Sequence, residues 1–375
     1  MNLYTAFYKN SFTINEFGHG GEKRSFQINQ LFSDVYELVR VNDLKKIFHP
    51  WYTRYWVGLN FLIRHKLFFK QCKHISTIGF HVLNFKNWLH NHPQITLFIW
   101  EPNYSYSDFY LPLLCNQHGL KVIVLPHNLE SLVKNRKSAV SGLESPNWFN
   151  EELSFLKLCD TVLTISLEDQ WLLSLHGIFA NYLEYLPSAS VIDQSINIAS
   201  YRKKHQVDNF YLMLGTAHNI PTSDGMRTII NYFIKHQLKL NLVIAGFGTE
   251  LLAEQFKSLP QNIKIIGSVD QKNFNDLLKK CKALLIYQTN ASGLLTRIPE
   301  FMIAGIPIVA NNISLRSFHN LKGLHTLNHL GVLKHLNALV LESQQTDVEA
   351  INMRYQEQIN LIRNIPAISI GGPPN

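Results

Sequence analysis

The chain has 375 residues and a hydrophobic fraction of 46%, more than a single core usually serves, so two domains are expected and extensive disorder is excluded. Its 35 Lys and Arg outnumber 27 Asp and Glu, for a formal net charge of +8. No stretch of about 18 apolar residues offers a bilayer span, and the first expected strand begins too near Met1 for a signal peptide to precede it.

Apolar runs and helical patterns alternate along the whole chain, which predicts an α/β protein with mostly parallel sheets covered on both faces. In the first half, strands are predicted at Leu3–Tyr8, Val35–Val41, Thr77–Phe80, Ile95–Trp100, Val122–Leu125, Val162–Ser166 and Tyr182–Leu186. The segment Gly18 to Arg24 follows the first of them. Gly20 and Gly21 carry no Cβ that would keep backbone away from a phosphate, and an ordinary turn has the same composition. His127 closes the run Val122 to Leu125 at a strand end, where open α/β sheets bind their ligands. Cys72, Cys115, Cys159 and Cys281 are far apart, form no Cys-x-x-Cys pair and read as free thiols of a cytoplasmic protein.

Between Asp43 and Glu101 there is no acidic residue, while Lys45, Lys46, Arg54, Arg64, Lys66, Lys70, Lys73 and Lys86 match the whole chain's net +8. Trp51, Tyr52, Tyr55, Trp56, Phe61 and Phe68 interleave with them. This pattern suits docking on the inner face of an anionic membrane, or an anionic acceptor, through Arg54, Arg64, Lys66 and Lys70. A helix pair with its aromatics in the core and its lysines in water has the same composition. Charge alone also suits nucleic acid, but no recognised nucleic-acid module accompanies it and no such partner is expected.

Pro187 to Gln206 is polar and rich in Ser and Asn, so a hinge is placed at residues 188–206, between a first domain of 1–187 and a second of 207–344. Strands in the second domain are predicted at Phe210–Leu214, Leu242–Ala245, Ile263–Ile266, Ala283–Tyr287, Ile306–Ala310 and Ala338–Leu341. Residues 345–375 contribute a helix to about Arg363 and a tail.

The most informative stretch is Ala283 to Asn311, two apolar runs of strand length around a small-residue loop and a helix with one acid. Pro299 suits a first helical turn, and Gly305 and Pro307 stop the helix. Backbone amides from Leu294 through Leu295 and Thr296 to Arg297 lack intrahelical partners there and suit an anion, with Arg297 as a mobile charge beside them. Glu300 is placed to accept hydrogen bonds from the hydroxyls of a ribose, or simply favours the helix N-terminus.

These residues resemble the donor-nucleotide signature of the large sucrose-synthase and mannosyltransferase family of retaining glycosyltransferases. Gly293, Arg297, Glu300 and Ala304-Gly305-Ile306-Pro307 match it. Phe210 to Gly215, Asn241 to Gly248 and Asn262 to Gly267 are similar to the strands and glycine exits of that family's C-terminal domain, and Val122 to Glu130 and Val162 to Glu168 to strands of its N-terminal domain. The resemblance spans roughly residues 18 to 310. It implies the GT-B fold, two facing Rossmann-like domains with a cleft between them, the last helix crossing back to the first. It implies a hexosyltransferase of polysaccharide biosynthesis that moves a sugar, with retention, from a UDP- or GDP-linked donor to a glycan, lipid-linked or protein acceptor. No cofactor or metal is implied. By the same resemblance Gly20, Gly21, Arg24, Gly215, Thr216, Gly246, Gly267, Ser292, Gly293, Leu294, Leu295, Thr296, Arg297 and Glu300 hold the donor, and His127 stands beside its sugar.

Two departures stand against this pattern. Ser292 occupies the position of the family's first glutamate, and Gly215 to Gly225 lacks the Arg and Lys that usually neutralise the donor diphosphate. An inactive GT-B scaffold that binds a partner, or a nucleotide-sugar epimerase, therefore remain alternatives.

Overall fold

The computed structural model describes residues 4–67, 73–102, 108–256, 258–289, 292–318, 321–343 and 347–365. Contacts divide the chain into two units, one of the residues up to Glu184 together with those from Ile351 onward, the other Tyr185–Ala350.

The first unit runs β1 (Tyr4–Lys9), α1 (Gly20–Ser33), β2 (Tyr36–Arg40), α2 (Trp51–Arg64), α3 (Lys73–Asn91), β3 (Leu97–Trp100), α4 (Tyr110–Gln117), β4 (Lys121–Val124), α5 (Phe149–Leu156), β5 (Thr161–Thr164), α6 (Leu167–Leu175) and β6 (Ala180–Tyr182). Its strands pair in parallel in the order β2-β1-β3-β4-β5-β6. β3 and β5 are buried along their whole length, as continuous apolar runs require. Chain order reverses between β1 and β3, the topological switch point where such sheets bind ligands.

The second unit runs α7 (Ala189–Lys204), β7 (Tyr211–Leu214), α8 (Ile220–His236), β8 (Leu242–Ala245), α9 (Glu250–Ala253), β9 (Ile263–Gly267), α10 (Gln271–Lys280), β10 (Ala283–Ile286), α11 (Arg297–Ile303), β11 (Ile308–Ala310) and β12 (Leu324–Thr326). Its strands are also parallel, in the order β12-β11-β10-β7-β8-β9, with the switch point between β7 and β10. The last helix, α12 (Val348–Arg363), buries Ile359 and Ile362 with Ile28, Leu31 and Phe32 of α1, so it belongs to the core of the first unit.

Several expectations are corrected here, beginning with Tyr182–Leu186, since the strand in that region is β6 at Ala180–Tyr182. Thr77–Phe80 is not a strand but part of α3, whose buried residues Ile75, Ile78, Val82 and Phe85 recur every three or four positions. The helix passes so close to α2 that a Cβ on Gly58 would stand 1.9 Å from the Ile75 carbonyl oxygen, and one on Gly79 1.7 Å from that of Arg54. The stretch 188–206, expected as a hinge from its polar composition, is helical over most of its length. It is helix α7, capped by the Ser188 hydroxyl on the Val191 amide, with Val191, Ile192, Ser195 and Ile198 buried and three cations in its last turn. Its Ser and Asn residues lie mostly on the opposite, solvated side. Finally, no strand forms at Ala338–Leu341, and the edge strand is β12 at Leu324–Thr326.

Candidate functional site

In the first unit the polar residues gather at the β1/β3 switch point. Glu101 follows β3 directly, its amide donating to the Lys9 carbonyl at the end of β1 (3.0 Å), and its carboxylate is buried. His127 follows β4 and brings Nε2 to within 2.7 Å of Glu101 Oε2, with only 9% of its side chain exposed. The Tyr8 hydroxyl donates to Oε1 of the same carboxylate and the Ser25 hydroxyl to Oε2. Burial, and Glu101 beside it, push the Tyr8 phenol well above its ordinary range, so it stays a donor. A carboxylate only accepts, so Nε2 of His127 carries a proton, and Nδ1 takes no protein partner among the described residues. Phe12 packs edge-on against the His127 ring at 5.0 Å and against His19 at 5.2 Å.

Glu101 was not among the candidates read from sequence. Its signal was available, since it is the first carboxylate after the acid-free run and directly follows a buried apolar strand.

The glycine segment follows β1 and runs directly into a helix. Gly20 and Gly21 open α1, which is closed by its own capping box: the Gly21 amide donates to His19 Nδ1 (3.1 Å) and the His19 amide to Glu22 Oε2 (2.9 Å). A Cβ on Gly21 would meet the Phe12 ring at 2.7 Å, so this glycine makes room for Phe12. Arg24 does not offer its charge at a surface. It is 1% exposed, and its guanidinium donates to Gln27 Oε1 (2.6 Å) and to the carbonyls of Leu183 and Glu184.

In the second unit the β7/β10 switch point brings several candidates together. Gly215, Gly246 and Gly267 lie side by side at the ends of β7, β8 and β9, where the Gly246 amide donates to the Gly267 carbonyl and a Cβ on Gly246 would stand 2.0 Å from the Gly215 oxygen. Thr216 accepts from the His218 amide (3.2 Å). Arg297 reaches over Gly215, its Nη1 donating to the Leu214 carbonyl; a Cβ on Gly215 would meet that nitrogen at 2.8 Å. It is therefore a held cation and not a mobile one. Its Nε is buried without a partner, and burial pushes its pKa down to about 10, with Glu300 opposing that effect.

Glu300 is buried, and its Oε1 accepts from the Tyr185 hydroxyl (2.9 Å), a partner that sequence did not suggest. Ser292 and Gly293 are held by the buried Arg316, which donates to both of their carbonyls and to that of Ile313. Leu294 and Leu295 are half-buried and Thr296 is buried ahead of α11. Thr296 makes no side-chain cap to this helix, which is only seven residues long.

The basic segment divides. Arg64 and Lys66 are exposed, whereas Arg54 is half-buried with its guanidinium over the rings of Phe48 (5.2 Å) and Phe80 (5.9 Å). Lys70 lies outside the described residues, as does Cys72.

No protein-family model matches this chain, and no curated sequence is significantly similar to it. Solved structures do resemble it over its full length. Sucrose-phosphate synthase from Thermosynechococcus elongatus aligns with a TM-score of 0.58 at 12% identity, covering 97% of this chain and 96% of that one. The α,α-trehalose 6-phosphate synthase from Burkholderia multivorans gives 0.58 at 10% identity, covering 100% of both. Anabaena HepE, solved in complex with UDP-glucose, gives 0.55 at 15% identity over 95% of this chain and 99% of its own. These likenesses establish a GT-B fold, built of two Rossmann-like units with six-stranded parallel sheets.

Proposed function

We propose that this chain is a nucleotide-sugar-dependent glycosyltransferase, with the donor held by the second unit and the acceptor by the first. The observation that carries the proposal is Arg297. A half-buried guanidinium beside a glycine-lined switch point, with Nε buried and unsatisfied and no carboxylate in hydrogen-bond contact, is costly until an anion arrives. The diphosphate of a nucleotide sugar supplies that anion. Glu300, oriented by Tyr185, then accepts from the ribose hydroxyls. HepE bound to UDP-glucose, and starch synthase IV from Arabidopsis thaliana bound to ADP and acarbose (TM-score 0.52), show what ligands the fold accommodates elsewhere.

In the transfer step the acceptor oxygen forms a bond to the anomeric carbon. The bond from that carbon to the diphosphate breaks, and its electron pair leaves with the diphosphate. With retention, the departing phosphate oxygen takes the acceptor proton on the same face, as the family resemblance implies. The Glu101–His127 pair favours a second reading of the same step. Nδ1 of a ring fixed through Nε2 has a lone pair for the acceptor proton, and Glu101 stabilises the imidazolium that forms.

Calorimetry against UDP, GDP and ADP and their hexose conjugates tests the first part: one of them raises the melting temperature in proportion to its occupancy. If all leave it unchanged, the proposal fails. The anomeric configuration of the product, read by NMR, separates the two proton routes, because retention assigns the proton to the phosphate and inversion to His127.

A further inference from the structure

Helix α2 and the residues before it turn large apolar side chains outward. Phe48, Trp51, Tyr52, Trp56 and Ile63 are each more than half exposed, and Ile47 is exposed beside them. Tyr52, Trp56 and Ile63 are spaced i, i+4 and i+11, so they form one stripe along the helix. Gly58, Phe61 and Leu62 are buried on the other side, where α2 meets α3. The stripe is therefore additional to the face that folding consumes, and exposed aromatic area of this kind marks a contact surface.

The charges decide what it contacts. Lys45 and Lys46 precede the helix, Arg64 and Lys66 end it, and all four are exposed. No acid lies between Asp43 and Glu101 to offset them. A helix of 14 residues is about 20 Å long, so cations bracket the stripe at both ends. A second copy of this chain would set these cations against their like. A single-stranded nucleic acid prefers a groove with stacking platforms, whereas Ile47 and Ile63 offer no ring and the stripe lies on an outward helix face. Anionic lipid matches both features, since rings settle at headgroup level while the ammonium and guanidinium groups meet the phosphates.

We propose that α2 and its basic flanks dock this chain on an anionic lipid surface. Docking is independent of the transfer chemistry, so either can fail without the other. The test is sedimentation with vesicles of phosphatidylcholine and phosphatidylglycerol against phosphatidylcholine alone. Binding is expected only to the anionic vesicles and reversed by high salt, because screening shortens the reach of each charge. Lys45→Glu with Lys46→Glu lowers the partition coefficient at least about 25-fold, at roughly fivefold per cation near the surface. Trp51→Ala with Trp56→Ala lowers it about tenfold or more. Lys239→Glu with Lys264→Glu changes net charge equally, at exposed sites of the second unit, and leaves binding within a few-fold. Quenching of tryptophan fluorescence by brominated lipid reads insertion in the unmutated protein. No sedimentation with anionic vesicles at low salt overturns the proposal, as does equal damage from the control pair. Tighter binding to a single-stranded oligonucleotide, or a dimer that the tryptophan variant abolishes while vesicle binding persists, overturns it too.

Discussion

The two switch points solve the burial of charge in opposite ways. In the first unit Glu101 is saturated by the protein itself, through Tyr8, Ser25 and His127. In the second, Arg297 gives one hydrogen bond to the Leu214 carbonyl and leaves Nε unmatched. A saturated carboxylate orients whatever it holds, so its value lies in fixing the His127 ring. An unsaturated guanidinium lowers its free energy only when something arrives, so its value lies in binding. Under the proposed function this contrast puts chemistry in one unit and ligand capture in the other, and mutations at the two places should then fail in different ways.

The largest effect is expected at His127. If its ring handles a proton or charge in the transition state, His127→Ala lowers turnover about 10²–10⁴-fold and leaves donor affinity within about twofold. Glu101→Gln keeps the shape but permits the ring to flip its tautomer, so turnover falls while donor affinity again holds. Steady-state kinetics beside calorimetry of the donor nucleotide give both numbers. Unchanged turnover in folded His127→Ala would return the pair to a structural role and erase the contrast.

At the second switch point the signature reverses. Arg297→Met removes a half-buried cation that the Leu214 carbonyl and Glu300 compensate only in part, so the ligand-free protein keeps or raises its melting temperature while nucleotide affinity falls by about 1.5–3 kcal/mol. Stability and binding thus move in opposite directions, which a structural ion pair would not allow. Glu300→Ala is expected to cost a similar 1.5–3 kcal/mol in nucleotide affinity. Intact affinity in a folded Glu300→Ala protein would remove this carboxylate from the site and leave its bond to Tyr185 as purely internal.

What was legible in the sequence follows from the range of each signal. Strands buried in the sheet are short apolar runs ending at Gly or a polar residue, so β7, β8 and β10 were found within about a residue, as was the edge strand β9, which has the same ending at Gly267. Their parallel order places Gly215, Gly246 and Gly267 together, at the strand ends where the family resemblance put them. Side-chain direction has no such local signature. Arg24 sits in a glycine-rich, phosphate-like context, yet α1 turns it inward onto the carbonyls of Leu183 and Glu184, about 160 residues away. Glu101 carried a local signal as the first acid after a buried apolar run, but its partner His127 follows β4, 26 residues on, and that pairing has no local signature. Thr77–Phe80 misled because Ile78 and Phe80 alternate like a strand over four residues, and only the longer 3–4 spacing of α3 corrects this.

Acidification offers a smaller test that also separates the units. His81 in the first unit is half-buried, stacked on Tyr110 at 4.9 Å, and burial pushes its pKa down from 6.5 to about 4, with Lys9 and Lys46 adding to the effect and Asp108 opposing it. His65 and His118, in the same unit, are lowered in the same direction for the same first reason. The unfolded chain takes up these protons near pH 6.5 and the folded chain later. Stability that is complete above 6.5 is therefore lost as pH falls toward 4. Glu184 works the other way around its own titration, since burial holds its carboxyl above the ordinary 4.5. For His81 the loss is about 1–2 kcal/mol once its partial exposure is allowed for. Among the described residues of the second unit only His236 is lowered, a half-buried ring against Tyr232 (4.3 Å) on which burial acts first and Lys334 and Lys235 add to it. Hydrogen exchange at pH 7 and pH 4.5 should thus show amides of β3 and α4 losing protection before those of β7 and β10. His81→Phe keeps the ring stack and removes the proton, so it should flatten the acid limb. An acid limb that His81→Phe leaves unchanged, or first loss in β7 and β10, would show that proton uptake does not distinguish the two units.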